Sequence, residues 1–140
     1  MAGEGGATPT LAMVPLRTFV VEGRPVPYVR MTTRSKWTAR AQRYLAYCGA
    51  VTLRAREAGI RPIDGPVIVA VVVVTAGRGD LDNYVKAILD SLNGVAYADD
   101  RQVQCIQAQT RRLGKREQVE VAVGSWNMLL GFVREKEEAQ

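Results

Sequence analysis

Asp80 and Asp82 are separated by one residue, Lys86 follows four residues after the second, and another acidic pair, Asp99 and Asp100, comes a helix and a loop later. Carboxylates gathered in this way repel one another, and without a neutralising partner one of them takes up a proton. A divalent cation relieves that repulsion, and donors that are all oxygen suit the hard ions Mg²⁺ or Mn²⁺. A purely structural reading stands beside this one. Asp80 would serve as a helix N-cap and Asp82 as a first-turn partner of the helix dipole, a position that favours an anion by about 0.3–1 kcal/mol. Spacing alone does not choose between Asp99 and Asp100.

The charge around these residues indicates what a metal would be used on. Residues 17–61 hold ten Lys/Arg against Glu22 and Glu57, a net +8, whereas residues 62–100 are net −4 and residues 101–124 net +3. An acidic centre in a basic frame suits an enzyme that holds a metal and grips phosphates, and the overall charge of +5 points to an anionic partner. The chain contains no histidine, and its two cysteines, Cys48 and Cys105, lie far apart with no CxxC pairing. Zinc centres, HNH-type sites and Ser/His or Cys/His nucleophiles therefore lose their usual residues, and no small-molecule cofactor is called for. The cysteines read as reduced, buried thiols of a cytoplasmic protein. The apolar run Val67 to Ala76 is about half the length that crosses a bilayer, so no membrane partner is expected.

Five stretches must position the acidic residues. Residues 1–14 read as a flexible leader, and Leu16 to Val21 as a first strand ended by Gly23-Arg24-Pro25. Tyr28 to Trp37 carries Arg30, Arg34 and Lys36 among Thr32, Thr33 and Ser35, a composition that suits either a phosphate grip with aromatics available to a sugar or an exposed base, or a solvated loop with its two aromatics turned into the core. Thr38 caps a helix that runs to about Ala58, where Gly59 stops it. Val67 to Thr75 is almost continuously β-branched, which predicts a central strand covered on both faces. The Gly77-Arg78-Gly79 turn then delivers Asp80 to the rim of the sheet.

The helix from about Leu81 to Leu92 has the apolar stripe Val85, Ile88, Leu89 and Leu92. Asp82 lies roughly 70° and Lys86 roughly 110° from the centre of that stripe, on the same flank. Asp90 falls in the last turn, where the dipole disfavours it, so a local partner such as Lys86 is expected. The spacing places the Asp99–Asp100 pair on a loop short enough to fold back to the strand end. Val103 to Arg112 and Gln118 to Val123 read as an antiparallel hairpin with Arg111, Arg112, Lys115 and Arg116 at its tip. Residues 125–140 read as a C-terminal tail or helix. The fold class is α+β: one domain, a small mixed sheet of about four strands against two main helices, in the order β-α-β-α-β-β.

The string Asp80-Leu81-Asp82-Asn83, with Lys86, Asp90 and Asp99-Asp100-Arg101-Gln102-Val103, resembles the core of the RusA-type Holliday junction resolvases, endodeoxyribonucleases of bacteria and phages. The close spacing covers roughly residues 67–123, and the implied nuclease domain spans 15–124. The resemblance implies that Asp80, Asp82 and Asp100 hold Mg²⁺, with Mn²⁺ able to substitute, and that Lys86 assists. Asn83 matches the asparagine of the motif and joins, as a DNA-binding candidate, the basic residues Arg30, Arg34, Lys36, Arg111, Arg112, Lys115 and Arg116, which read from their composition as sequence-independent phosphate contacts. The implied assembly is a homodimer that nicks two opposed strands of a four-way junction in recombination and repair. Two other readings are a nuclease of the same type that prefers other branched DNA, and a dimeric DNA-binding module whose aspartates are structural.

Overall fold

Every residue of Val67–Val74 except Ala70 is β-branched, and such a strand is most stable with hydrogen-bonded neighbours on both edges. The computed structural model, which describes residues 16–126, shows this arrangement. The elements are β1 (Leu16–Glu22), α1 (Ala39–Glu57), β2 (Val67–Val74), α2 (Leu81–Leu92), β3 (Val103–Arg111) and β4 (Gln118–Ser125). Short 3-10 turns occur at Ser35–Trp37 and Asp100–Gln102. This is the expected β-α-β-α-β-β order, in a single four-stranded mixed sheet. The leader (1–14) and most of the tail (127–140) lie outside the described residues.

The strand order is β1-β4-β2-β3, with β4 antiparallel to both β1 and β2, and β3 parallel to β2. This corrects the expected hairpin, because β3 and β4 are not neighbours and β2 lies between them. The α2 crossover sets β3 parallel to β2 in a β-α-β unit. The six residues from Arg112 to Glu117 then carry the chain over the C-terminal end of β2, a gap of about two strand spacings. Arg111, the last residue of β3, and Arg112, Lys115 and Arg116 of the crossover therefore lie above the end of β2, where Arg112 Nη2 donates to the Ala76 carbonyl at 3.3 Å.

Both helices cover the same face of the sheet. Val67, Val69, Val71 and Val73 of β2 join Val119, Val121 and Val123 of β4 in a core closed by Tyr47, Val51, Ile88 and Leu92. On the opposite face Ile68 and Val74 are buried, but Ala70, Val72 and Ala122 are only half-buried and Val20 is 39% exposed. The expectation of two covered faces thus holds for one of them among the described residues. Thr38 caps α1 by accepting from the Ala41 amide at 3.2 Å. The buried stripe of α1 is Ala41, Tyr44, Tyr47, Val51 and Ala55, with Leu45 outside it. Cys48 and Cys105 are free thiols, half-buried rather than fully enclosed. No described helix is long and apolar enough to cross a membrane.

Candidate active site

The parallel β-α-β geometry decides where each acidic residue goes. Asp80 and Asp82 follow the C-terminal end of β2, whereas the chain after α2 returns to the end of the sheet where β2 began, so Asp99 and Asp100 precede β3 there. Twelve residues of α2 correspond to about 18 Å of rise between the two ends. The expectation that the second pair folds back to the first is corrected by this path. Among the described residues, no group of three His, Cys, Asp or Glu side chains is placed to hold a metal ion. The donors are chemically right for Mg²⁺ or Mn²⁺, but a single chain does not gather them.

What the chain does gather is a concavity of about 570 Å³ between α2 and β3. Its floor is apolar, formed by Leu81, Val85, Leu89, Ile106 and Ala108. Its charged lining is Asp82, Lys86, Asp90 and Asp100, all exposed. The floor exists because α2 leaves the helix-side face of edge strand β3 uncovered, with Ile106 47% exposed. Asp80 is not part of the lining. It occupies the N-cap position of α2 with extended backbone (φ −75°, ψ 136°), yet its side chain makes no capping hydrogen bond. Its backbone carbonyl accepts from the Asn83 and Tyr84 amides, and the carboxylate is left exposed.

The turn before Asp80 is pinned from the crossover. The Glu117 carboxylate accepts from the Ala76 amide at 3.0 Å, and hydrogen bonds from Thr75 and Ala76 hold its carboxyl below the usual range. Gly79 lies against the buried Tyr84 ring so closely that a Cβ there would be 2.6 Å from Tyr84 Cζ. A small recess lined by Thr75, Gly77, Gly79, Thr110, Arg111 and Arg112 brings two arginines beside this turn.

On the flank of α2, Lys86 makes no ion pair with Asp82 or Asp90 among the described residues. Its Nζ lies 4.6 Å from the centre of the Tyr28 ring. Tyr28 meets Tyr44 edge-on, with centroids 5.7 Å apart and planes at 84°, and Tyr44 Oη donates to Asp90 Oδ2 at 3.3 Å. Tyr44, rather than Lys86, is thus the local partner of Asp90. Lys86 thus engages the aromatic face rather than either carboxylate one turn away. Burial pushes the Tyr44 hydroxyl well above its ordinary range, so it remains a donor. Tyr28 is therefore turned inward, and its amide donates to the Asn83 carbonyl at 3.0 Å, tying the basic loop to α2. Arg30, Arg34 and Lys36 are exposed along that loop, as are Arg111 at the end of β3 and Arg112, Lys115 and Arg116 on the crossover, while Asn83 is half-buried.

At the other end of α2 the neighbouring aspartates differ. Asp99 closes a capping box with Gln102: its side chain accepts from the Arg101 amide at 2.8 Å, and Gln102 Oε1 accepts from the Asp99 amide at 3.1 Å. Arg101 bonds both Asp99 oxygens and holds that carboxyl at about 2. Asp100 is left facing the concavity. Gln102 also donates to the carbonyls of Ile63 and Gly65 at 2.7 and 2.9 Å, and buried Tyr97 donates to the Leu89 carbonyl at 2.7 Å. These two side chains fix the loop that presents Asp100. Neither side chain stands out in the sequence by type, although the Asp-x-x-Gln spacing of the capping box is a legible signal for Gln102.

A family model described as "Endodeoxyribonuclease RusA" matches residues 22–124. The match takes in β1 from its end, the basic loop and α1, well beyond the stretch in which the motif spacing is close. No curated protein matches the chain.

Proposed function

The chain belongs to the RusA endodeoxyribonuclease family, and from that premise we propose that it is a divalent-metal-dependent endonuclease that resolves four-way DNA junctions as a homodimer. The observation that carries this reading is the concavity beside α2, whose apolar floor is bordered by Asp82 and Lys86 on the first half of the helix and by Asp100 at its far end, in a chain with a basic excess. Lys86 supplies a point charge for a phosphate oxygen, held by the Tyr28 ring rather than neutralised by a carboxylate. Arg30, Arg34 and Lys36 on the loop, with Arg111 at the end of β3 and Arg112, Lys115 and Arg116 on the crossover, contact phosphates without reading sequence.

A bound divalent ion supplies Lewis-acid chemistry to phosphodiester hydrolysis. The carboxylates proposed for it, Asp80, Asp82 and Asp100, stand at opposite ends of α2 in one chain. The homodimer is the state that reconciles this separation with a metal site. A two-fold axis perpendicular to α2 reverses the direction of that helix, and such an axis beside the concavity would set the Asp80–Asp82 end of one copy towards the Asp100 end of the other. A two-fold protein also suits a junction that is itself nearly two-fold and takes two cuts.

The competing reading, a dimeric DNA-binding module with structural aspartates, is favoured by one observation: a single chain gathers no three-carboxylate cluster among its described residues. A nicking assay separates the two. A mobile four-way junction, a fork and a linear duplex are incubated with Mg²⁺, Mn²⁺ or chelator, and the protein's mass is followed by sedimentation. Paired nicks in the junction that require metal and track the dimer support the proposal. Preferential cutting of the fork moves the substrate to other branched DNA, and tight binding without metal-dependent nicking establishes the binding module.

A further inference from the structure

Tyr28 and Trp37 bracket the basic loop, and the fold uses them in opposite ways. The Tyr28 ring is engaged by Tyr44 and Lys86, whereas Trp37 is 74% exposed, the most exposed of the large apolar side chains among the described residues. A large aromatic on a slack loop lowers its exposure by collapsing onto the surface. The backbone here prevents that. The Thr32 amide donates to Ser35 Oγ at 2.8 Å, the Ser35 amide returns to Thr32 Oγ1 at 3.1 Å, and the Lys36 amide donates to the Thr32 carbonyl at 3.0 Å. The Thr38 amide closes on the Ser35 carbonyl at 3.0 Å, and Gln42 Nε2 bonds the Lys36 carbonyl at 2.8 Å. The Ser35–Trp37 turn is thus cross-linked on both sides and leads directly into the capped N-terminus of α1, holding the indole outward. Lys36 Nζ lies 5.2 Å from the indole centre, and Arg34 and Arg40 flank the turn at exposed positions.

We propose that Trp37 is a stacking platform for an unpaired or unstacked nucleobase at the branch point, and that the Ser35–Trp37 turn distinguishes branched DNA from linear duplex. This rests on the branched-DNA reading above and adds the contact that gives selectivity. Base–aromatic stacking needs a free π-face, and it tolerates any sequence because every base has one. In an intact duplex both faces of a base are covered by neighbours, and exposing one means unstacking a step. At a branch point that cost is lowest. The surrounding arginines and Lys36 would hold the backbone of the splayed strand by charge, leaving the selective contact to the indole.

The test uses the full chain carrying Trp126→Phe, so that Trp37 is the only tryptophan, with Ca²⁺ in place of Mg²⁺ and four-way junction or linear duplex as the probe. Junction binding is expected to quench the Trp37 emission, and to change the signal of a 2-aminopurine placed at the branch but not of one within an arm. Trp37→Ala should lose about 5- to 100-fold in junction affinity with duplex affinity unchanged, and Trp37→Phe should recover most of the loss. The side chain is exposed, so thermal stability should not move. Equal losses on junction and duplex, or no loss on either, would overturn the proposal. So would a Trp37→Ala protein that becomes monomeric, which would assign the indole to a contact between copies. If the Trp126→Phe protein itself does not prefer junction to duplex, the branched-DNA reading fails and this inference with it. A preference that survives Trp37→Ala defeats the inference alone.

Discussion

The two ends of α2 carry the same residue type in different states. At the N-terminal end, Asp80 and Asp82 are exposed, and Asp80 occupies a capping position without making the capping bond. At the C-terminal end, Asp90 is bonded by Tyr44, and Asp99 is saturated by the Arg101 amide and guanidinium. Only Asp100 of that group is turned to the concavity without such a partner. A carboxylate that holds a fold together has its lone pairs filled by nearby donors. One kept for a ligand does not, even where a capping bond would be locally favourable. By that criterion Asp99 belongs to the scaffold, while Asp80, Asp82 and Asp100 keep exposed carboxylates with no side-chain ion pair among the described residues.

The largest effect should come from cutting across this contrast. Asp82→Asn and Asp100→Asn are each expected to reduce junction nicking by about 100-fold or more, with binding in chelator and thermal stability little changed. Asp99→Asn should nick at the parent rate. Equal inactivity of the Asp99 and Asp100 variants would erase the distinction between these neighbours.

Next in size is the support of the N-terminal end. Gly79→Ala drives a methyl group into the buried Tyr84 ring, and overpacking of this kind costs about 1–3 kcal/mol, readable as a lower urea midpoint. An unchanged midpoint would mean that the turn before Asp80 is not braced by the core. A smaller effect is expected on the flank between the two ends. Tyr28→Leu removes the aromatic face beneath Lys86, an interaction of about 0.5–1 kcal/mol at exposed sites, so nicking should slow about 2- to 5-fold. Made in a Lys86→Ala background, the same change should have no further effect.

The smallest difference concerns pH. The carboxyl of Asp99 is held at about 2, below its ordinary value of 3.8. Its contribution to stability is therefore complete above the ordinary value and is lost as pH falls through about 2. Unfolding followed across that range should show a constant gap between the parent and Asp99→Ala from neutral pH to about 5, and that gap should close as pH falls through the interval between 3.8 and about 2. A gap that persists unchanged to the acid limit would place the cap's contribution elsewhere than in the ionised carboxylate.

Much of the fold was legible locally. The β-branched run of β2, the Thr38 cap, the apolar stripe of α2 and the glycine turn before Asp80 each follow from short-range sterics or a period of two or 3.6 residues. What misled was pairing. Two strands joined by a short basic turn look like a hairpin, but β2 inserts between them, because partner choice depends on which strand most needs burial and not on distance along the chain. The inward turn of Tyr28 and the outward turn of Trp37 were equally hidden. Both are aromatics in one loop, and only the position of Tyr44, sixteen residues after Tyr28 on α1, separates them.

By itself the sequence determined the chemistry on offer: oxygen donors with no imidazole, a lysine on the Asp82 flank of an amphipathic helix, and a basic frame suited to a phosphodiester. Residue types and helical periodicity are local properties, so they survive without a structure. The tertiary structure alone decided how far apart those donors stand. A parallel strand pair returns the chain to its starting end, so the two acidic pairs are separated by the length of the helix between them. No spacing in the sequence encodes the direction of a strand that has yet to choose its partner.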